Sequence, residues 1–168
     1  GSDISPSMLK LAAENLAEAS ADIPLHQADY RDLPAHFSES FDAVICWSGA
    51  IFHIRNDDEG LQVFQGMREV LSPGGIAVLD QGLTDRRWRD KQRFVLNRST
   101  RDTSRIYAID YLGERDCRYN VLDITHQDEK QEMEVWSTDV HVLLKEDQER
   151  LLKEAGFSTV NIYGSYDL

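Results

Sequence analysis

Long apolar runs are the first thing missing from these 168 residues. Nothing approaches the ~20 consecutive apolar positions of a membrane-spanning helix, and the N-terminus lacks the basic-then-apolar order of a secretory signal. Cysteine is scarce as well. Cys46 and Cys117 are the only two, far apart and without CxxC spacing, which argues against a zinc site or a disulfide framework, and no metal is an expected ligand. Positive charge is short overall, with 18 Lys and Arg against 30 Asp and Glu, a formal net charge of −12. A surface of that sign repels phosphate, so neither nucleic acid nor an anionic membrane is an expected partner. Repeats and low-complexity linkers are absent too. The expectation is a soluble, cytoplasmic chain forming a single domain over residues 1–168, with an apolar fraction of 41% that suits one packed core.

What is present alternates helix and strand patterns. Gly1-Ser2-Asp3 reads as the end of a strand. Ser5 then caps a helix with Pro6 at its first position, and Met8, Leu9, Ala12, Ala13 and Leu16 form its apolar face. Leu25–Asp29 reads as a short strand that turns away through Tyr30–Pro34. Phe41–Trp47 is near-continuously apolar, the pattern of a strand buried on both faces. A helix from about Asp58 to Leu71 follows, with Leu61, Phe64, Met67, Val70 and Leu71 turned to the core. Ser72-Pro73-Gly74-Gly75 breaks it, and Ile76–Asp80 is the next buried strand. Strand, helix, turn and strand make a βαβ unit, so the fold class is α/β with a parallel core sheet.

The rhythm changes after Asp80. Eight of the 18 basic residues fall between Arg86 and Arg105, a polar stretch. Three β-rich segments follow, Arg105–Leu112, Cys117–Thr125 and Met133–Leu143, and short connections at 113–116 and 126–130 make them an antiparallel meander. A last helix spans Glu146–Ala155 with Gly156 as its C′ residue, and Thr159–Tyr163 is a final strand candidate. Residues 86–144 are thus an inserted region on the α/β sheet, suited to a lid or substrate platform.

In open α/β sheets ligands bind beyond the carboxyl ends of the strands, and Asp3, Asp29 and Asp80 all stand there. A carboxylate at Asp3 suits the two hydroxyls of a ribose, with Ile4 or Met8 offering apolar surface to a purine. Asp29 suits an exocyclic amine. The competing use of Asp3 is as an acid favoured by a helix N-terminus.

Taken together, Gly1-x-Asp3-Ile4-Ser5-Pro6-x-Met8-Leu9, Ala28-Asp29, Phe41–Cys46 and Leu71-x-Pro73-Gly74-Gly75-x-x-Val78-Leu79-Asp80 resemble the class I S-adenosylmethionine-dependent methyltransferases. Leu151-Leu152-x-x-Ala155-Gly156-Phe157 fits that family's last helix and strand. The resemblance implies a Rossmann-like sheet and S-adenosylmethionine as cofactor. Asp3 would hold the ribose, Ile4 and Met8 would lie by the adenine, and Asp29 would meet its amine with the backbone of Tyr30 facing the ring. Cys46, Trp47 and Ser48 would line the methionine half. His53 falls where the glycine N-methyltransferase branch, which shares the Phe41–Cys46 pattern, also has a histidine, and it becomes the candidate base, with His141 second. A surface strand position is the plainer reading of His141.

The pattern also departs from the family. The glycine-rich GxGxG loop is nowhere in the sequence, and the first strand, most of the second and the last are missing from it. The expected sheet is therefore incomplete, with a gap to be filled by further chain or by a segment exchanged from another copy, so a homo-oligomer stays open. Gly1-Ser2 also fit the remnant of a cleaved tag. Gly82 stands where the glycine branch carries its substrate-binding arginine, so glycine specificity is not implied. Arg86 and Arg87 are the candidates for a substrate carboxylate or phosphate. Trp88, Tyr107, Tyr111 and Trp136 suit either a substrate wall or core packing. The expected activity is N- or O-methylation of a small molecule, with an inactive fragment also in view. The alternative is a non-catalytic binding or assembly module on the same fold.

Overall fold

The computed structural model describes residues 1–80, 83–127 and 130–164. Gln81 and Gly82, and Asp128 and Glu129 of the last hairpin connection, lie outside the described residues. The chain divides into two compact units. The first comprises Gly1–Ile45, Asp58–Val78 and Leu151–Val160, and the second Cys46–Asp57, Leu79–Arg150 and the described residues from Asn161 on.

The first unit opens with β1 (Ser2–Asp3) and α1 (Pro6–Glu18). Ser5 is the N-cap, its Oγ accepting from Met8 N at 3.4 Å, with Pro6 at the first turn where a missing N–H costs nothing. The apolar stripe is only half used: Leu9, Ala12 and Leu16 are half-buried, Met8 and Ala13 are exposed, and no residue of α1 is buried. β2 is shorter than expected, His26–Gln27, and pairs parallel with β1 in the register Ser2–His26 and Asp3–Gln27. A 3-10 turn at Tyr30–Asp32 and the single-turn helix α2 (Leu33–His36) follow.

β3 (Phe41–Cys46) is where expected, but it is not buried on both faces: Ile45 is 69% exposed. Continuous apolarity signals what a strand could bury, and no described element covers this one on both sides. α3 (Asp57–Glu69) buries Val63, Phe64 and Met67, with Val70 and Leu71 buried just beyond it, while Leu61 is only half-buried. The helix ends at Glu69, before the Ser-Pro-Gly-Gly stretch expected to break it, and that stretch does not stand outside the next strand. β4 runs from Leu71 to Leu79 straight through it. Gly74 supplies the bend at φ +83°, and Gly75 permits close approach, since a Cβ there would meet Asp42 O at 3.1 Å. Hydrogen bonds from Phe41 N to Val70 O and from Asp80 N to Cys46 O bracket the β3–β4 pair in parallel sense. The sheet is incomplete as expected: β1–β2 and β3–β4 are separate two-stranded ladders, with no strand joining them among the described residues.

The second unit holds α4 (Asp85–Asp90) and the strands β5 (Phe94–Ser99), β6 (Thr103–Tyr111), β7 (Asp116–Gln127) and β8 (Lys130–His141). The meander is present and antiparallel throughout, in the order β5-β6-β7-β8. It has one strand more than expected, because the charged stretch after Arg86 contains a capped helix and an edge strand. Thr84 Oγ1 accepts from Arg87 N at 3.3 Å to start α4. One face of the sheet packs Val95, Ile109, Cys117, Tyr119, Val121 and Val140 with Leu83, Trp88 and Val142.

α5 (Lys145–Glu154) buries Leu151 and Leu152, and Gly156 at φ +97° follows it as the left-handed C′ residue. Thr159–Tyr163 is not a strand. A strand exists through its ladder partner, and no described strand pairs with it.

Candidate functional site

In the first unit the parallel pairing of β1 and β2 delivers Asp3 and Asp29 at the same ends of adjacent strands, and Ala28 N donates to Asp3 O at 3.1 Å to hold the two together. Each acid has a local task. Asp3 Oδ1 accepts from Ser5 N at 2.8 Å, turning the chain into α1. Asp29 Oδ1 accepts from Arg31 N and from Arg31 Nε, both at 2.9 Å, capping the 3-10 turn. Asp3 thus holds the turn just ahead of the Ser5 cap, a use that occupies one oxygen. Oδ2 of either carboxylate has no partner among the described residues. Partial burial pushes the Asp29 carboxyl up, and the Arg31 backbone N–H, guanidinium and charge together outweigh it, so Asp29 stays below the ordinary carboxylate range and is ionised at neutral pH.

Arg31 is placed by a second acid that the sequence did not mark: Glu59, buried on α3, meets its Nη1 at 3.0 Å. Beside the two aspartates, Ile4 and Met8 are exposed apolar side chains and Tyr30 is half-buried. Two acceptor-only groups flanked by apolar surface can take the hydroxyls and amine of a nucleoside.

In the second unit Cys46 ends β3, and the chain reverses through Ser48 (φ +61°) and Gly49 (φ +72°), two consecutive left-handed residues. Asp80 holds this reversal, its Oδ1 accepting from Gly49 N at 2.8 Å. The third strand-end acid is thus spent on shaping a loop. Trp47 is exposed, and burial, with the charge of Asp80 second, pushes the Cys46 thiol up to about 11, so it stays protonated and unreactive at neutral pH. His53 closes the 3-10 turn Ala50–His53 and is exposed.

His141 is different. Its Nδ1 lies 2.8 Å from Asp116 and its Nε2 3.1 Å from Asp57, and its side chain is largely buried. Both nitrogens are engaged, so it is neither a surface strand residue nor an available base. Asp57 also meets Arg115 Nη1 at 2.9 Å and Arg150 Nη2 at 2.6 Å.

Arg86 is exposed and lies 3.6 Å from Asp90, and Arg87 is exposed on the same helix. Trp88, Tyr107 and Tyr111 pack with the core of the sheet, and Lys91 Nζ sits 3.3 Å above the Trp88 ring. Trp136 alone of the four aromatics is substantially exposed, its Nε1 donating to Asp123 at 3.3 Å. Gly82 lies outside the described residues.

The family model described as "Methyltransferase domain" matches residues 1–75, the segment that carries Asp3, Asp29 and β3. The first part of the chain is thus similar to a methyltransferase domain. The chain is 26% identical over 168 residues to glycine/sarcosine N-methyltransferase of Aphanothece halophytica, covering 98% of the chain and 59% of the relative. Two solved structures share its fold. An S-adenosylmethionine-dependent methyltransferase from Clostridium acetobutylicum aligns at TM-score 0.77 and 16% identity, covering 92% of this chain and 61% of that one. The amino pentose methyltransferase CalS10 from Micromonospora echinaspora aligns at TM-score 0.73 and 23% identity, covering 93% and 64%. The chain spans about three-fifths of the length of these relatives.

Proposed function

We propose that this chain supplies the nucleoside-binding part of an S-adenosylmethionine-dependent methyltransferase that acts on a small molecule. The carrying observation is the pair Asp3 and Asp29, side by side at the ends of parallel strands, each with one carboxylate oxygen committed to the fold and the other open. The residues present suit the adenosine half of the cofactor. Asp3 Oδ2 is the acceptor for the ribose hydroxyls and Asp29 for the adenine amine, with Ile4, Met8 and Tyr30 against the ring. When bound, the cofactor supplies an electrophilic methyl group on a sulfonium centre. What protein side chains contribute to such a transfer is orientation and a water-poor surrounding.

Two further assignments rest on the sequence resemblance, Cys46, Trp47 and Ser48 toward the methionine part and His53 as base for an oxygen nucleophile, while Arg86 and Arg87 toward an acidic group of the substrate rest on guanidinium chemistry. A neutral amine acceptor needs no base, so N-methylation leaves His53 dispensable and O-methylation does not.

Calorimetric titration with S-adenosylhomocysteine tests the reading without turnover. Saturable binding is expected, weakened at least about tenfold in Asp3→Asn, which keeps the turn to Ser5 but loses the open carboxylate oxygen. A folded sample that binds nothing overturns it, in favour of a binding or assembly module on the methyltransferase fold.

A further inference from the structure

On the face of the second unit's sheet that carries the core, the packed side chains stop short of one end. Arg105, two residues before Tyr107 on β6, and Asp123, two after Val121 on β7, share that face and stand opposite each other. Arg105 grips Asp123 through Nε and Nη2, and Trp136 Nε1 donates to the same carboxylate, so both of its oxygens are engaged.

The neighbouring position on β5 is set by a break in the ladder. Leu96 pairs with Ile106 and Arg98 with Arg105, so Asn97 is an extra residue, a β-bulge. In an unbroken register Asn97 would face Arg105, and Arg98 would fall on the other side of the sheet. The bulge turns Arg98 to the face of Arg105 instead. Two guanidinium groups then stand directly across from each other, an arrangement that destabilises a sheet. Asp123 answers only Arg105. Arg98 is exposed and has no hydrogen bond or ion pair among the described residues.

Across the four strands the row reads Arg98, Arg105, Asp123, Glu134, two positive charges followed by two negative. A groove of about 230 Å³ lies at the positive half, lined among others by Arg98, Thr103, Arg105, Asp123 and Thr125, and by no described residue of β8. Thr103 and Thr125 face each other in register, which places two hydroxyls beside the guanidinium groups. The Thr103 hydroxyl meets Thr100 Oγ1 at 3.0 Å, and that of Thr125 has no partner among the described residues. The open hydrogen-bonding capacity here is that of donors, on groups that suit an anion's oxygens.

We propose that this groove is an oxyanion site, taking the phosphate or carboxylate group of a small ligand between Arg98 and Arg105, with the Thr125 hydroxyl donating to it. The bound anion relieves the repulsion that the bulge creates. Neither Asp3 nor Asp29 takes part, so the groove stands or falls apart from cofactor binding.

Amide chemical shifts of the isotope-labelled full chain, titrated with sodium phosphate and separately with sodium acetate at constant ionic strength, test this. Saturable shifts are expected at Arg98, Thr103, Ser104 and Thr125. Arg98→Gln is expected to weaken binding at least about tenfold, since a charged hydrogen-bonding partner is lost, and Thr125→Val by a smaller factor. Arg118→Gln, the same change on the sheet's other face, is expected to leave it unaltered. Tighter binding of phosphate assigns the ligand's group as a phosphate, and tighter binding of acetate as a carboxylate; either result supports the site. Shifts that grow without saturating, shifts centred on Arg86 and Arg87 of α4, binding that survives Arg98→Gln, or equal weakening by Arg118→Gln each overturn the proposal.

Discussion

At the scale of single residues, the loop after β3 concentrates the strongest constraints. Gly49 sits at φ +72°, and a Cβ on it would lie 3.3 Å from the Phe52 ring. Gly49→Ala is expected to destabilise the fold by about 1–2 kcal/mol, read from denaturant unfolding, because a left-handed backbone and a crowded side chain coincide. Asp3 and Asp29 were legible in the sequence, since strand-end acids before a turn announce themselves by position. The use of Asp80 was not. Its partner is a backbone N–H 31 residues away, and side-chain spacing carries no record of such a bond. Ser48-Gly49 was the available sign that something had to hold a reversal there. Arg31 and Glu59 were invisible for the same reason: a buried acid on an amphipathic helix looks like any solvated one until its cation is placed.

At the scale of elements, patterns that depend only on local chemistry were readable. The Ser-Pro start of α1 and the Gly156 stop after α5 were found to the residue or nearly so, and the three inserted strands were found in order. Charge hid the rest. β5 carries a single buried side chain, Val95, among polar neighbours, and α4 is six residues long, so neither shows a period. The opposite error occurred at β3 and at Thr159–Tyr163, where apolar composition promised burial and pairing that depend on neighbouring strands. Amide hydrogen exchange should rank the strands accordingly. β7, hydrogen-bonded on both sides along its length, is expected to exchange slowest, β8 and β5 faster as edges, and the two-residue β1–β2 pair fastest.

For the whole molecule, the excess of acid over base makes acid response the informative probe. Asp57 is the clearest reporter. Partial burial pushes its carboxyl up, but Arg115, His141 and Arg150 together overcome this and hold it at about 2, below the ordinary value of 3.8. A depressed folded value means that the stabilisation is complete above about pH 4 and is lost as pH falls toward 2. Asp57→Asn should therefore cost about 1–2 kcal/mol at pH 6, and its deficit against the parent should close below pH 4 in parallel urea titrations. The same cluster has a consequence in time. Arg150 reaches Asp57 across 93 residues and His141 across 84, whereas the hairpins beside them close over short connections. Contacts so distant along the chain form late, after the meander that presents them, and are among the first to part. Losing Asp57 should leave the refolding rate nearly unchanged and raise the unfolding rate, so the cluster acts as a latch that sets how long the folded state lasts.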